Sequence, residues 1–434
     1  MTDTTTPQPA PPPATEPARR QRDERPRSLW RHRNFMLLFS AQTLSETGTR
    51  ISGVAVPLLA LTVLHASAFE VSLLTALAWL PYVLFALPAG VYVDRVRKRR
   101  LMVVCDLIRM ALTASLPVTA LLGTVTIAQL YVVVGLCGVL TVFFNVAQRT
   151  QLPLLVAGEQ LVEGRGKQET AEGAAELVGP ALGGLLVGLI GATRTVLADA
   201  VSFLVSACAV AAIRTEAQEA RIDEDDRLPF RAAVREGLSF VLGHPILRRF
   251  LGCSATNNFF VMAMTGIEVV FLVDDLNARP FVVGLVFTGG AVGGLVTGLV
   301  AQPLADRIGS ARVIWVAMAA PGPLYLLMPL ASQGWGVTLY AVGLTAFSAN
   351  AVLYNSAMGA YMQRICPTPM LGRMNASNMW VSFGVVPLGA LFGGALGTWI
   401  GLRATLLVCV LGAWSACLFL VLSPLRTMRD VPED

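Results

Sequence analysis

Apolar runs of about 20 residues, the length a helix needs to cross a bilayer, recur along this chain from Phe35 almost to its end. They predict helices at 35–64, 70–92, 101–123, 127–148, 171–191, 195–213, 249–272, 281–304, 311–331, 336–361, 374–399 and 402–424. The gaps are short and carry Gly, Pro or charge, and no strand-type alternation suggests a barrel. Only 14% of residues are charged, against roughly 25% in soluble domains. The expected fold class is therefore all-α integral membrane, with twelve transmembrane helices in two pseudo-symmetric six-helix bundles.

The basic residues set the expected orientation. With the N-terminal tail inside, 28 Lys and Arg fall on the inner side and three (Arg194, Arg279, Arg403) on the outer side. Arg50 and Arg109 remain within helices. One helix more or fewer would invert every later loop, so the asymmetry supports the count. Both termini are then cytoplasmic in a multi-pass cell-membrane protein. The net charge of +5 lies in these loops and forms no stripe, which excludes nucleic acid as a partner.

The domains expected are a disordered Pro-rich cytoplasmic tail (1–33), an N-terminal bundle (34–213), a cytoplasmic linker (214–248), a C-terminal bundle (249–424) and a short tail (425–434). No apolar segment precedes Phe35, so the first stretch is not read as a signal peptide. The linker begins acidic and then runs amphipathic through Phe230, Val234, Leu238 and Val241. It reads as a helix on the inner membrane surface or as a solvated linker helix. The seven cysteines form no CxxC pair or Cys/His cluster, and six lie in or beside apolar runs as small core side chains. No metal site or cofactor is expected, nor an enzyme, because HExxH, GxSxG and a phosphate loop are all missing.

A weak internal repeat links the halves. After helix 2 the chain reads GVYVDRVRKRR (90–100), and after helix 8 QPLADRIGSAR (302–312). VGPALGG (178–184) in helix 5 corresponds to VPLGALFGG (386–394) in helix 11.

At these residues the chain resembles the major facilitator superfamily, over about residues 30–425. Gly90, Asp94, Arg95, Lys98 and Arg99 match its loop between helices 2 and 3, while Tyr92 and Arg97 depart from it. The second copy keeps Leu304, Ala305, Asp306, Arg307 and Gly309. The opening of helix 1 (35–59), GPALGG, REGLSFVLGHPILR (235–248) and LGR (371–373) are similar to the branch with the enterobactin exporter and macrolide efflux proteins. The resemblance implies a secondary exporter of small amphipathic organic molecules (a drug, antibiotic or siderophore), acting by alternating access as a monomer, with protons expected as the coupling ion. Helix 4 lacks the internal Arg of the drug–proton antiporters, with Arg149 only at its inner end, and Glu176 interrupts the small-residue run of helix 5. Proton coupling therefore does not carry over by motif. The alternatives are a nutrient importer and, from another class, a membrane enzyme or lipid scramblase.

Glu46 and Arg50 are the sharpest candidate pair for a substrate or proton site. Glu46 stands roughly 16 Å into helix 1 at helical rise, near the bilayer centre, and Arg50 follows on the same face. Charges there are costly unless paired or wet, so the pair is either functional or a structural ion pair. Asn258, Glu268 and Asn355 are further candidates, alongside Asn257, Asn350, Asn375, Asn378 and Trp380; each either lines a cavity or bonds between helices. Asp199, near Arg194, and Glu172 with Glu176 read as mainly structural. A cytoplasmic gate is expected from Gly90, Asp94, Arg95, Lys98, Arg99, Arg149, Asp306, Arg307 and Arg373, with topogenesis as the other reading. Gly179, Pro180, Gly183 and Gly184 mark either a bend or close packing in helix 5.

Overall fold

The computed structural model describes residues 29–156, 159–213, 239, 242–244, 246–365 and 381–423. Among them are helices and no strands. The N-terminal group is α1 (Arg33–Thr62), α2 (Ala68–Arg95), α3 (Lys98–Leu121), α4 (Ile127–Leu155), α5 (Glu159–Ile190) and α6 (Ala192–Ala211). The C-terminal group is α7 (Leu247–Val270, extended by a π-helical turn Phe271–Asp275), α8 (Pro280–Ile308), α9 (Ser310–Ala319), α10 (Val337–Ile365), α11 (Val386–Ile400) and α12 (Leu402–Ser415). Short turns Gly322–Tyr325 and Leu327–Leu330 continue α9, and Cys417–Val421 continues α12. Eleven helices among the described residues are long and apolar enough to cross a membrane. The twelfth is α1, 30 residues long, whose apolar run is diluted by Glu46, Arg50 and several hydroxyl residues.

Local chemistry sets the helix ends. Ser67 and Glu70 form a reciprocal capping box at the start of α2. Thr126 caps α4, and the His32 imidazole accepts from the Phe35 amide at the start of α1. Gly191 and Gly401, both at φ 85°, turn α5 into α6 and α11 into α12 without an intervening loop. The same turn at the same place in both groups is the internal repeat in three dimensions.

Three expectations need correction. The helix set at 171–191 begins at Glu159, so the segment after α4 is a polar extension of α5 and not a loop. Hydropathy cannot register a helix that leaves the membrane. Likewise α4 runs through Arg149 to Leu155. The helix set at 311–331 breaks after Ala319, where Pro321 and Pro323 cannot donate backbone hydrogen bonds. The Trp414 indole donates to the freed Ala319 carbonyl at 3.1 Å, and it packs so closely on Gly322 that no Cβ would fit there.

Within the N-terminal group α1 packs on α5 and α6, α3 on α4 and α6, and α2 on α4; within the C-terminal group α8 packs on α10, and α7 on α11 and α12. The groups meet through α5 with α8 and through α2 with α7 and α11. Six described cysteines are free, four of them buried among apolar neighbours. The 214–238 part of the linker, residues 1–28 of the first tail, the 425–434 tail and Cys366 lie outside the described residues.

Candidate functional site

The candidate site is built on α1. Gln42, Glu46 and Arg50 recur every four residues and so share one face of that helix. The Glu46 carboxylate accepts from Arg50 Nε at 3.0 Å. Arg50 Nη1 stands 3.9 Å from Glu176 on α5, and Gln42 donates to Glu172, also on α5, at 2.5 Å. Glu46 and Arg50 keep 29% and 39% of their side chains exposed. They are therefore not sealed into packing, although they sit midway along a helix enclosed by α5 and α6.

Glu46 also lies within electrostatic reach of Tyr82 on α2, and Arg149 on α4 reaches both Tyr82 and Glu172. Asn145 donates to the Tyr82 hydroxyl at 3.1 Å. Tyr82 neighbours Trp79, and the Trp79 ring stacks on Phe383 across the two groups, 5.9 Å apart and 19° from parallel. α1 and α5 thus share a charged cluster, and aromatic rings join α2 to the start of the eleventh span. Carboxylates, an amide, a phenol and flat rings suit a molecule with a polar end and an apolar body.

Glycines of α5 make this arrangement possible. A Cβ at Gly179 would collide with the Arg50 side chain, and one at Gly183 with the Ile51 carbonyl. On the other face of α5, Gly184 lies against the Pro280 carbonyl and Gly284 of α8. The helix continues through Pro180. Close packing, on α1 and on α8 at once, is therefore what this motif does here. In α11, Gly389 and Gly393 press on Phe259 and Ala263 of α7, and Gly394 on Ser72 of α2, with the same spacing.

These contacts close one end of the molecule. Ser72 donates across the groups to the Gly266 carbonyl at 2.9 Å, close to Gly394. Near the opposite, basic end, no described atom lies within 4 Å of a Cβ built on Gly90. The basic end of α3 is tied to its own group, where Arg99 donates to the Ala211 carbonyl at the end of α6. Asp306 accepts from Gln302 on its own helix at 2.9 Å, and Arg307 is exposed. Arg95 and Lys98 flank the turn between α2 and α3. The Asp94 side chain, Arg373, Asn375, Asn378 and Trp380 lie outside the described residues.

The remaining candidates are dispersed. Asn258 donates to the Ser382 carbonyl at 3.1 Å, joining α7 to the eleventh span. Asn355 is exposed on α10, and Asn350 is buried. Glu268 is 4% exposed and accepts from the Tyr340 hydroxyl at 2.9 Å, away from Glu46. Asp199 faces Gly48 of α1 and accepts from Ser202, so its surroundings are α1 and α6 rather than Arg194.

One charged group escaped the sequence reading. Asp106 and Arg109 of α3 form a buried ion pair, completed by Ser206 donating to Asp106 at 2.6 Å and Arg109 donating to Thr141 at 3.2 Å. The guanidinium lies 4.4 Å from the ring centres of Phe144 and Phe203. The i, i+3 spacing of opposite charges in an apolar helix was the available signal.

Residues 26–433 match the family described as transmembrane secretion effector, MFS_3. The chain belongs to that family. The chain is 28% identical over 392 residues to the multidrug efflux pump Tap of Mycolicibacterium fortuitum, covering 86% of the chain and 91% of Tap. It is 23% identical over 382 residues to macrolide efflux protein A of Streptococcus pyogenes, covering 87% and 94%. Its fold is shared with a bacterial homologue of the iron transporter ferroportin in an inward-facing state (TM-score 0.72, 16% identity, 91% and 99% covered). It is shared too with the nucleoside transporter NupG (TM-score 0.71, 11% identity, 90% and 98% covered). The protein is thus a multi-pass membrane transporter of the major facilitator fold, in an efflux branch, and not an enzyme.

Proposed function

We propose that this protein exports small amphipathic organic molecules by alternating access, in exchange for protons, with Glu46 as the carboxylate that a proton and the substrate contest. The observation that carries the reading is the half-exposed Glu46–Arg50–Glu176 cluster midway along α1, where α1 and α5 meet. A paired carboxylate that keeps access to water can change its proton without unfolding its surroundings. Efflux as the direction rests on the efflux pumps of similar sequence.

With the basic end taken as cytoplasmic, the arrangement is inward-open: contacts between the groups gather at the far end. Release to the outside then requires α5 to part from α8 and α2 to part from α7 and α11. The gate residues on the α2–α3 and α8–α9 turns would meet the opposite group only in the outward-open state. The protein acts as a monomer in the cytoplasmic membrane, with its 34–213 and 249–424 bundles as the moving bodies.

Purified protein in weakly buffered detergent tests this, by titrating lipophilic drugs and following proton release beside Glu46→Gln. Release on substrate addition by the parent, absent in a variant that still binds, is the expected result. Equal release by both proteins, or full transport by the variant in vesicles, removes Glu46 from the coupling path.

A further inference from the structure

At the far end of the C-terminal group lies a recess of ≈ 680 Å³. Leu326, Leu330, Ile400 and Leu407 supply aliphatic walls, and Asp275 and Arg403 the only charges among its lining residues. Leu330 is 65% exposed and Ile400 and Leu407 are exposed as well, so the aliphatic side of the recess is open. Trp335 and Trp399, 90% and 84% exposed, stand close by in sequence, as aromatic residues do at a membrane–water boundary.

Arg403 is held in place. Its Nη1 donates to the Pro329 and Ala331 carbonyls at 2.6 and 2.7 Å, which also closes the end of the α9 region. Its Nε stands 3.9 Å from Asp275 Oδ2, within electrostatic range but too far for a hydrogen bond. Both side chains keep access to solvent. A fixed cation and a neighbouring anion, with unsatisfied capacity on each, therefore border an apolar slot.

We propose that this recess binds a phospholipid whose headgroup carries both a phosphate and a primary ammonium, of the phosphatidylethanolamine class. The phosphate takes the free guanidinium donors of Arg403, the ammonium donates to Asp275, and one acyl chain lies along Leu326, Leu330 and Leu407. A headgroup with phosphate alone would set a second anion against Asp275. A quaternary ammonium has no N–H to give that carboxylate. The recess shares no lining residue with the Glu46–Arg50–Glu176 cluster.

The test is native mass spectrometry of the full-length protein from mixed micelles holding equal amounts of phosphatidylethanolamine, phosphatidylcholine and phosphatidylglycerol with identical chains. The phosphatidylethanolamine adduct should persist in about tenfold excess over the others, the value of one charge-assisted hydrogen bond. Asp275→Asn should abolish that preference, and Leu330→Trp, which fills the slot, should reduce retention of the bound lipid. Arg403 is left intact because it secures two backbone carbonyls. Equal retention of all three lipids overturns the proposal. So does an unchanged preference in Asp275→Asn, or displacement of the lipid by equimolar soluble glycerophosphoethanolamine, which would mark a site for the free headgroup.

Discussion

Replacing Arg109 by methionine should destabilise the protein by about 3–5 kcal/mol, the usual cost of leaving one partner of a buried ion pair alone. Arg109 and Asp106 expose 2% and 0% of their side chains. In Arg109→Met the Asp106 carboxylate keeps only the hydrogen bond from Ser206, and both faces of the guanidinium contact with Phe144 and Phe203 are lost. The double variant Asp106→Leu, Arg109→Met removes both charges from the same site, and should return to within about 1 kcal/mol of the parent. Equilibrium unfolding in mixed micelles, titrated with a denaturing detergent and followed by tryptophan fluorescence, measures the cycle. Asp106→Leu alone should cost as much as Arg109→Met, so the expected non-additivity is about 5 kcal/mol or more. A single variant as stable as the parent, or a double variant that costs the sum of the two singles, refutes the reasoning. The folded double variant should also transport normally, because the pair is buried among α3, α4 and α6 and does not touch the Glu46 cluster.

Three other outcomes follow from the contacts. Gly184→Leu cannot seat a side chain against the Pro280 carbonyl, so hydrogen exchange at the far ends of α5 and α8 should rise and transport should fall while expression holds. Tyr340→Phe deprives the buried Glu268 of its hydroxyl partner, and should cost about 1–3 kcal/mol in the same unfolding assay. Trp79→Ala removes the ring stacked on Phe383, and should weaken the join between the bundles by roughly 0.5–1.5 kcal/mol beyond lost area, read as faster exchange at residues 381–385.

The architecture was legible because the bilayer enforces it. Spanning length, charge asymmetry and the repeated glycine phrases each reflect a constraint that side-chain detail cannot relax. Glu46 and Arg50 stood out for the same reason, as charges in an apolar run, and the structure pairs them at 3.0 Å. What stayed hidden depends on packing between distant segments. No pattern along α1 announces that Arg50 needs Gly179 beneath it, or that Glu172 reaches Gln42. The polar start of α5 was invisible to hydropathy. The break in α9 was readable from Pro321 and Pro323, but its resolution by Trp414, nearly a hundred residues later, was not. Arg97 shows a departure being explained: it stands where the family's loop has glycine, and it adopts φ −69°, whereas the matching Gly309 takes φ 103°. The two turns therefore follow different backbone paths, and only one requires glycine.

The doubled glycine frame also separates two kinds of recognition. In α5 the frame braces the charged face of α1, through Gly179 and Arg50. In α11 the matching frame braces Phe259, whose ring lies 5.3 Å from Phe392 and 5.2 Å from Phe260. One scaffold has thus been filled with ions on one side and with rings on the other. On the proposed reading, a substrate held between them would be sorted by its own asymmetry, because rotating it end for end would set its charge against hydrocarbon. Orientation, more than shape, would then be the property that the proposed exporter reads, and molecules of dissimilar outline would pass the same inspection when their polarity runs the same way.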